Sequence, residues 1–215
     1  MEMNVTGTPS LDDQLKYPKV DRFTYLGSML HQEGGCANEV NARIQKGWLK
    51  WRSITGVMCD KKMPIWLKSK AYKSIVRPVL LYGSETWALD ATEETLLQAT
   101  EMRMIRWSLE YTKLNHMTND CLRAKMGIQP MADLINENRL KWYGHILRRE
   151  TSDVNRKVLN MEVPGKRGRG RPRVTWKGQV DKVMMTKKIN PNMALTRSRW
   201  KKLIKTNPTT VGPYA

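Results

Sequence analysis

The most chemically distinctive segment of the sequence is a run of cations near its C-terminal end, PGKRGRGRPR at Pro164–Arg173. Five positive charges fall within eight residues of this run. Gly and Pro keep the backbone thin and extended, so two arginine side chains can lie along the floor of a narrow minor groove. That groove is narrowest and most negative in A·T-rich DNA, and the run therefore predicts contact with nucleic acid. Its cations are Lys166, Arg167, Arg169, Arg171 and Arg173.

The centre of this run, Arg169–Pro172, resembles the AT-hook. Glycine removes the side chains that would collide with the groove walls, and the two arginines supply the groove contacts. The sequence leaves a second interpretation open. In that interpretation the run is a basic linker that contacts phosphates without preference for any base sequence.

The charge of the whole chain is strongly positive and unevenly distributed. The 215 residues include 38 Lys and Arg against 20 Asp and Glu, which gives a net charge of +18. Residues 151–215 hold 16 basic and 3 acidic side chains, a net charge of +13, whereas residues 1–50 are neutral. A surplus of this size and localisation is typical of a nucleic-acid-binding protein. A solvated basic tail or a nuclear import signal would produce the same bias.

Residues suited to other chemistries lack the spacing that those chemistries need. The three histidines and three cysteines form no metal-ligand pattern and no CxxC pair. Asp12 and Asp13 follow Leu11 in a polar turn and do not end an apolar strand, so we expect no polymerase-type metal site. The sequence thus predicts no catalytic residue, no metal and no cofactor. Apolar runs are too short to span a bilayer and the N-terminus lacks a secretory apolar core, which favours a nuclear or otherwise cytoplasmic chain that is not secreted.

The elements that must position the basic residues are mainly helical. Apolar residues recur at helical spacing along most of the chain, whereas the segment from Lys19 to Leu30 is typical of a strand. We expect that strand to pair with the segment before Leu15. The turn at Gly127–Pro130 is typical of an αα-hairpin, and less so of a helix-turn-helix. Predicted helices run from Ala37 to about Met58, Ile65–Leu81, Asp90 or Thr92 to Leu109, Thr118–Met126, Met131–Arg149, Val174–Lys187 and Met193–Ile204.

The predicted fold class is therefore mainly α, a helical bundle with a short N-terminal β-hairpin or strand, a basic linker and a small helical C-terminal end. Charge and turn signals divide the chain into six segments. We expect residues 1–18 and 151–173 to be poorly ordered. The segments are residues 1–18, the strand at 19–36, the helical domain at 37–150, the basic linker at 151–173, the helical segment at 174–205 and the tail at 206–215.

An ordered set of motifs resembles a known protein family. The set looks like the C-terminal part of the reverse transcriptase of non-LTR (LINE) retrotransposons, of the RTE and jockey-like kind, over residues 18 to 203. The motifs are VDRFTYLGS at Val20–Ser28, Gly34–Gly35, Ala42–Ile44, KAYKSIVRPVLLYGSETW at Lys70–Trp87, RLKWYGHIL at Arg139–Leu147, GKRGRGRPRVTW at Gly165–Trp176 and RxxW at Arg197–Trp200.

The resemblance implies roles for particular residues. The FxYLG element would be the primer grip, the last strand of the polymerase palm, beside the primer 3′ end. The helices from Ala37 to about Leu109 would be the thumb, which follows the primer–template duplex, and the basic run would hold DNA. The primer-grip residues are Phe23, Tyr25, Leu26 and Gly27, and the phosphate contacts on the thumb are Arg43, Lys46 and Lys50.

The resemblance also implies that this chain is not an enzyme by itself. The family's catalytic Asp-Asp pair lies upstream of FxYLG, and Arg173 stands where a restriction-like nuclease would need an aspartate. We therefore expect a fragment of an RNA-directed DNA polymerase that binds a DNA duplex or an RNA–DNA hybrid, with protein partners unknown. The alternatives are an enzyme piece that needs a palm from another chain, a reused AT-hook-type chromatin tether, and an inert expressed relic.

Overall fold

The computed structural model describes residues 20–31, 35–159, 161 and 174–205. Over these residues the chain is mainly helical, with a short two-stranded antiparallel sheet near the N-terminal end, as the sequence predicted. The strands are β1 (Arg22–Tyr25) and β2 (Ser28–His31). The α-helices are α1 (Ala37–Ser53), α2 (Thr55–Met58), α3 (Ile65–Ala71), α4 (Arg77–Leu80), α5 (Ala91–Ser108), α6 (Asn119–Met126), α7 (Met131–Leu147), α8 (Val154–Leu159), α9 (Trp176–Lys187) and α10 (Arg197–Ile204).

The sheet is a hairpin contained within the segment that was predicted to be one strand. β1 pairs with β2, and Leu26 and Gly27 form the turn with φ of +49° and +84°. Two-residue turns with positive φ at both positions match the right-handed twist of the flanking strands. The single strand over residues 19–36 was therefore wrong, because the chain reverses at Leu26–Gly27. Residues 1–18 lie outside the described residues.

Among the described residues there are two apolar cores, and the larger lies between α1, α3 to α5, α6 and the start of α7. Trp51, Tyr72 and Met104 are among its fully buried side chains. Gly47 permits the close contact of α1 with α4, since a Cβ there would lie 2.4 Å from Cδ2 of Leu80.

One helical path runs from α3 to α4 through a π-helical segment, Tyr72–Val76. Pro78 near the start of α4 has no N–H to donate to the preceding turn. The wider π turn accommodates that loss, so the proline distorts the helix without ending it. At two other helices, predicted start residues act as N-caps. Asp90 forms a reciprocal capping box with Glu93 at α5, and the Thr118 side chain accepts from Cys121 N at α6.

The second core joins the C-terminal half of α7 to α9, α10 and the 3-10 turn at Pro191–Leu195. Trp200 is 2% exposed and its Nε1 donates to Leu140 O at 2.9 Å. Gly144 makes room for the indole ring, since a Cβ at that position would lie 2.3 Å from Trp200 Nε1. Helix α7 thus contributes to both cores. Residues on the two sides of the boundary predicted at residue 150 therefore pack against each other.

Part of the predicted linker is helical. Within residues 151–173, Val154–Leu159 form α8, and the Arg156 guanidinium donates to Leu147 O at the end of α7. The sequence analysis assigned no helix to these residues, so α8 is an addition to the predicted elements. The bond between Arg156 and a terminal helix carbonyl is a local reason for the extra helix. Residues 160 and 162–173 lie outside the described residues.

Candidate nucleic-acid interface

The structure brings together the predicted site residues of the N-terminal half. The hairpin packs on α1 with its turn beside the middle of that helix. Arg43 Nη2 donates to Gly27 O at 2.6 Å, and Lys46 Nζ lies 3.5 Å from the same oxygen. Lys50 follows one helical turn further along. This tip-and-helix surface comprises Phe23, Tyr25, Leu26, Gly27, Arg43, Lys46 and Lys50.

Side chains of α1 and Tyr82 clamp the hairpin onto the helices. Arg43 Nε donates to Glu39 Oε1 at 2.6 Å, and Glu39 Oε2 accepts from Met29 N at 2.6 Å. The Tyr82 hydroxyl donates to Leu26 O at 2.9 Å, and the Arg43 guanidinium lies 4.4 Å from the centre of the Tyr82 ring. The hairpin turn is therefore held from both sides by charge-assisted and neutral hydrogen bonds.

The clamp explains how a leucine is kept in a left-handed conformation. Leu26 has φ of +49°, a region that is unfavourable for a side chain with a Cβ. Such residues persist where surrounding contacts over-determine them, and here the carbonyls of Leu26 and Gly27 both accept side-chain hydrogen bonds. The strained residue is also 75% exposed, which places an apolar side chain in solvent at the tip.

The exposed face of the hairpin is apolar. Phe23 is 49% exposed, Tyr25 58% and Leu30 40%, and Phe23 and Leu30 are cross-strand partners. A contiguous apolar surface on a small element is typical of a contact site. Aromatic rings beside lysines also suit contact with the bases and phosphates of a nucleic acid.

The cations predicted to contact phosphate differ in accessibility. Lys46 and Lys50 are exposed on α1. Arg43 is only 5% exposed and forms a buried ion pair with Glu39. A phosphate contact by Arg43 would require its guanidinium to leave Glu39 and Gly27, so in this structure Arg43 positions the hairpin.

We expect Arg43→Met to loosen the hairpin. The substitution removes the donors to Gly27 O and leaves Glu39 buried without its cation. Charge-assisted hydrogen bonds contribute about 1.5–3 kcal/mol, so the hairpin amides should exchange with solvent roughly tenfold to a hundredfold faster. Hydrogen exchange of the β1 and β2 amides measures this.

Lys46→Met is the matched control for that experiment. It removes a cation from the same helix, but Lys46 is exposed and its 3.5 Å contact with Gly27 O is weak. Its hairpin amides should exchange at the rate of the unsubstituted chain. Equal exchange rates in the two variants would show that the clamp does not hold the hairpin.

A second basic segment was missed by the sequence analysis. Residues 61–84 contain six Lys and Arg and no acidic residue. Lys68 and Arg77 in this segment are buried, and Lys68 Nζ donates to Ser108 O at 2.9 Å. The exposed cations of the segment are Lys61, Lys62, Lys70 and Lys73. The absence of acidic residues over 24 positions was the available sequence signal.

The AT-hook-like run lies outside the described residues, and this includes Lys166, Arg167, Arg169, Arg171 and Arg173. The described residues on either side of it are attached to the helical body. Trp176 Nε1 at the start of α9 donates to Glu85 O at 2.7 Å, and α8 is bonded to the end of α7 through Arg156.

Other site types have little support in the part of the chain that the structure describes. No three His, Cys, Asp or Glu side chains there are grouped so that they could hold a metal ion. None of the helices within the described ranges combines the length and apolar character needed to cross a bilayer. Cys36, at the start of α1, is half-buried, and burial raises the pKa of its thiol, which disfavours the nucleophilic thiolate.

Comparison with known proteins gives one informative similarity. The chain is 25% identical to a Caenorhabditis elegans protein described as "Putative uncharacterized transposon-derived protein". The alignment spans 218 positions and covers 94% of this chain and 76% of that protein. The chain matches no protein-family model, and no solved structure matches it. The chain is thus similar over most of its length to a protein described as transposon-derived.

Proposed function

We propose that the chain is a nucleic-acid-binding fragment of a non-LTR retrotransposon reverse transcriptase. In this proposal the hairpin is the primer grip and the helices that follow are the thumb. The observation that carries the proposal is the tip-and-helix surface, where the FxYLG turn is bonded to Arg43 and lies beside the exposed Lys46. The similarity to a transposon-derived protein and the net charge of +18 support it.

The proposal assigns binding and no catalysis to this chain. The resemblance contains the elements downstream of the family's aspartate pair, and Glu39, which lies beside the tip-and-helix surface, is paired with Arg43. A nuclear location is part of the proposal, since the ligand would be DNA or an RNA–DNA hybrid. A reused chromatin tether is the second candidate, because residues 151–215 carry a net charge of +13 that includes the AT-hook-like run.

Binding of the full chain to three labelled ligands at ~150 mM salt tests the proposal, since weak nonspecific contacts are largely suppressed there. The ligands are an A·T-rich duplex, a G·C-rich duplex and a primed RNA–DNA hybrid. Preference for the primed hybrid supports the thumb and primer grip, and preference for the A·T duplex supports the tether. Equally weak binding to all three would contradict both and favour an inert relic.

Replacing Arg169 and Arg171 together by Ala should weaken DNA binding and lower its salt dependence. Each phosphate contact contributes about 0.9 to the slope of log K against log salt, so the double variant should lose about two units. Titrations at several salt concentrations with an A·T-rich duplex measure the slope.

Lys201→Ala/Lys202→Ala is the charge-matched control, since both residues are exposed on α10. This control lowers the net charge equally, but it should leave any preference for A·T-rich over G·C-rich duplex unchanged. An unchanged slope in the arginine variant would remove the AT-hook-like run from the binding surface.

A further inference from the structure

A second surface on the described residues has the chemistry of a base-stacking site. Three tryptophans form a series from the core to solvent. Trp51 is 1% exposed, Trp48 is half-buried and Trp107 is 58% exposed. The rings of Trp48 and Trp107 lie 6.4 Å apart at 56°, and those of Trp48 and Trp51 lie 6.5 Å apart at 79°. We call Trp48 and Trp107 the tryptophan platform.

The inner ring of this series holds the outer ones in place. Trp51 and Trp48 are on α1 and Trp107 is at the end of α5, and these two helices pack against each other. A large indole that is packed on one side and open on the other loses little conformational freedom when a flat ligand stacks on it. The exposed area of Trp107 is thus a rigid aromatic surface.

Cations flank the tryptophan platform on both helices. Arg52 follows Trp48 by four residues and Arg103 precedes Trp107 by four, so each shares a helical face with its tryptophan. Both arginines are exposed, and neither forms an ion pair with an acidic side chain among the described residues.

The acidic side chains of the two helices are mostly placed away from the platform. On α1, Glu39 lies toward the hairpin and is paired with Arg43. On α5, Glu93 and Glu94 are in the first turn and Glu101 is buried. Glu110, just after α5, is the acidic residue nearest in sequence to Trp107, and it is paired with Lys61 at 3.2 Å. The surroundings of the platform are therefore positive.

We propose that the tryptophan platform binds single-stranded nucleic acid by stacking on its bases, with Arg52 and Arg103 contacting the phosphates. This inference rests on the proposed nucleic-acid binding and adds a second, single-strand site to it. Bases in a duplex are stacked on each other and cannot present their faces, whereas an unpaired strand can. The open indole, the flanking cations and the paired acids favour this ligand over an acidic or apolar protein surface.

Trp107→Leu separates stacking from apolar contact, because leucine keeps an apolar side chain and removes the ring. Stacking contributes about 1–3 kcal/mol per base, which corresponds to a loss of affinity of roughly fivefold to 150-fold for an oligothymidine. Trp107→Phe keeps a ring and should retain much of the affinity. The ligands are labelled single-stranded DNA, single-stranded RNA of equal length, and a duplex, each titrated into the full chain.

Trp66→Leu is the matched control, since Trp66 is 66% exposed on α3 and lies outside the platform. Its affinity for the single strands should equal that of the unsubstituted chain. Duplex affinity should be unchanged in both variants, and far-ultraviolet circular dichroism should show intact helices. Loss of single-strand affinity confined to Trp107→Leu would establish the platform as the binding site.

The failure of this inference can be told from the failure of the proposed function. If the unsubstituted chain binds neither single strands nor duplexes, both fail together. If it binds them and Trp107→Leu changes nothing, or Trp66→Leu has the same effect, the platform alone is overturned. A dimer in sedimentation that dissociates on Trp107→Leu, with single-strand affinity unchanged, would show that a second copy occupies this surface instead.

Discussion

Arg77→Met lowers the free energy of unfolding by about 3–5 kcal/mol, because it leaves a buried carboxylate without its cation. Arg77 Nη2 lies 3.0 Å from Glu101 Oε1, and the two side chains are 7% and 0% exposed. Tyr72 donates its hydroxyl to the same carboxylate oxygen at 2.9 Å. Arg77 also donates to Gln129 O in the turn before α7. One guanidinium thus ties together α4, α5 and the approach to α7.

The electrostatics of this buried group explain the size of the expected effect. Burial and the adjacent Glu101 carboxylate raise the pKa of Tyr72 well above its usual range, so the phenol stays neutral. Glu101 therefore depends on Arg77 for a compensating charge, and its second oxygen has no hydrogen-bond partner among the described residues. Removing the cation leaves an ion in a site from which water is excluded, which is more unfavourable than losing an exposed pair.

A double-mutant cycle with Glu101→Gln tests this explanation. Arg77→Met/Glu101→Gln removes the carboxylate together with the guanidinium, and it should be more stable than Arg77→Met alone because no uncompensated charge remains. Lys70→Met is the control, because it removes an exposed cation from α3. It should change the free energy of unfolding by less than about 0.5 kcal/mol. Urea unfolding followed by circular dichroism gives the four free energies. A double variant as unstable as the sum of its parts would refute the charge argument.

The sequence predicted the helices better than the surfaces they bury. Helical spacing located the helices, and cap residues such as Asp90 and Thr118 located their starts, because both signals are local. The spacing of apolar residues did not identify which face of α5 is buried. On α5, Leu96 is 42% exposed, whereas Leu97 and Glu101 are fully buried. Periodicity treats a charged residue as exposed, so a stripe that includes Glu101 could not be recognised without its partner on another helix.

The candidate interface was predictable in its residue types and not in its geometry. The FxYLG segment was identified, but its reversal at Leu26–Gly27 depends on hydrogen bonds from Arg43 and Tyr82, which are distant in sequence. For the same reason Arg43 looked like a surface cation, although it is buried against Glu39. Contacts between distant segments determine which cations remain open to a ligand, and spacing along one helix does not contain that information.

Trp200→Ala should lower the free energy of unfolding by about 3–5 kcal/mol, the range for removing a large aromatic side chain from a core. The indole is 2% exposed, it fills the space above Gly144, and its Nε1 satisfies Leu140 O. Alanine leaves a cavity between α7 and α10 and removes that hydrogen bond. Trp66→Ala, at a side chain that is 66% exposed, should change stability by no more than about 0.5 kcal/mol.

The way in which Trp200→Ala unfolds should distinguish one cooperative unit from two. Helix α7 supplies Met131 and Ile135 to the first core and Leu140 and Tyr143 to the second, so loss of the second core should destabilise the whole chain in one urea transition. A separate early transition that leaves the tip-and-helix surface protected from hydrogen exchange would show that the second core folds independently.

The single transition also predicts a functional effect. Trp176, at the start of α9, donates to Glu85 O, so a weakened second core should release that hydrogen bond and reduce DNA affinity together with stability.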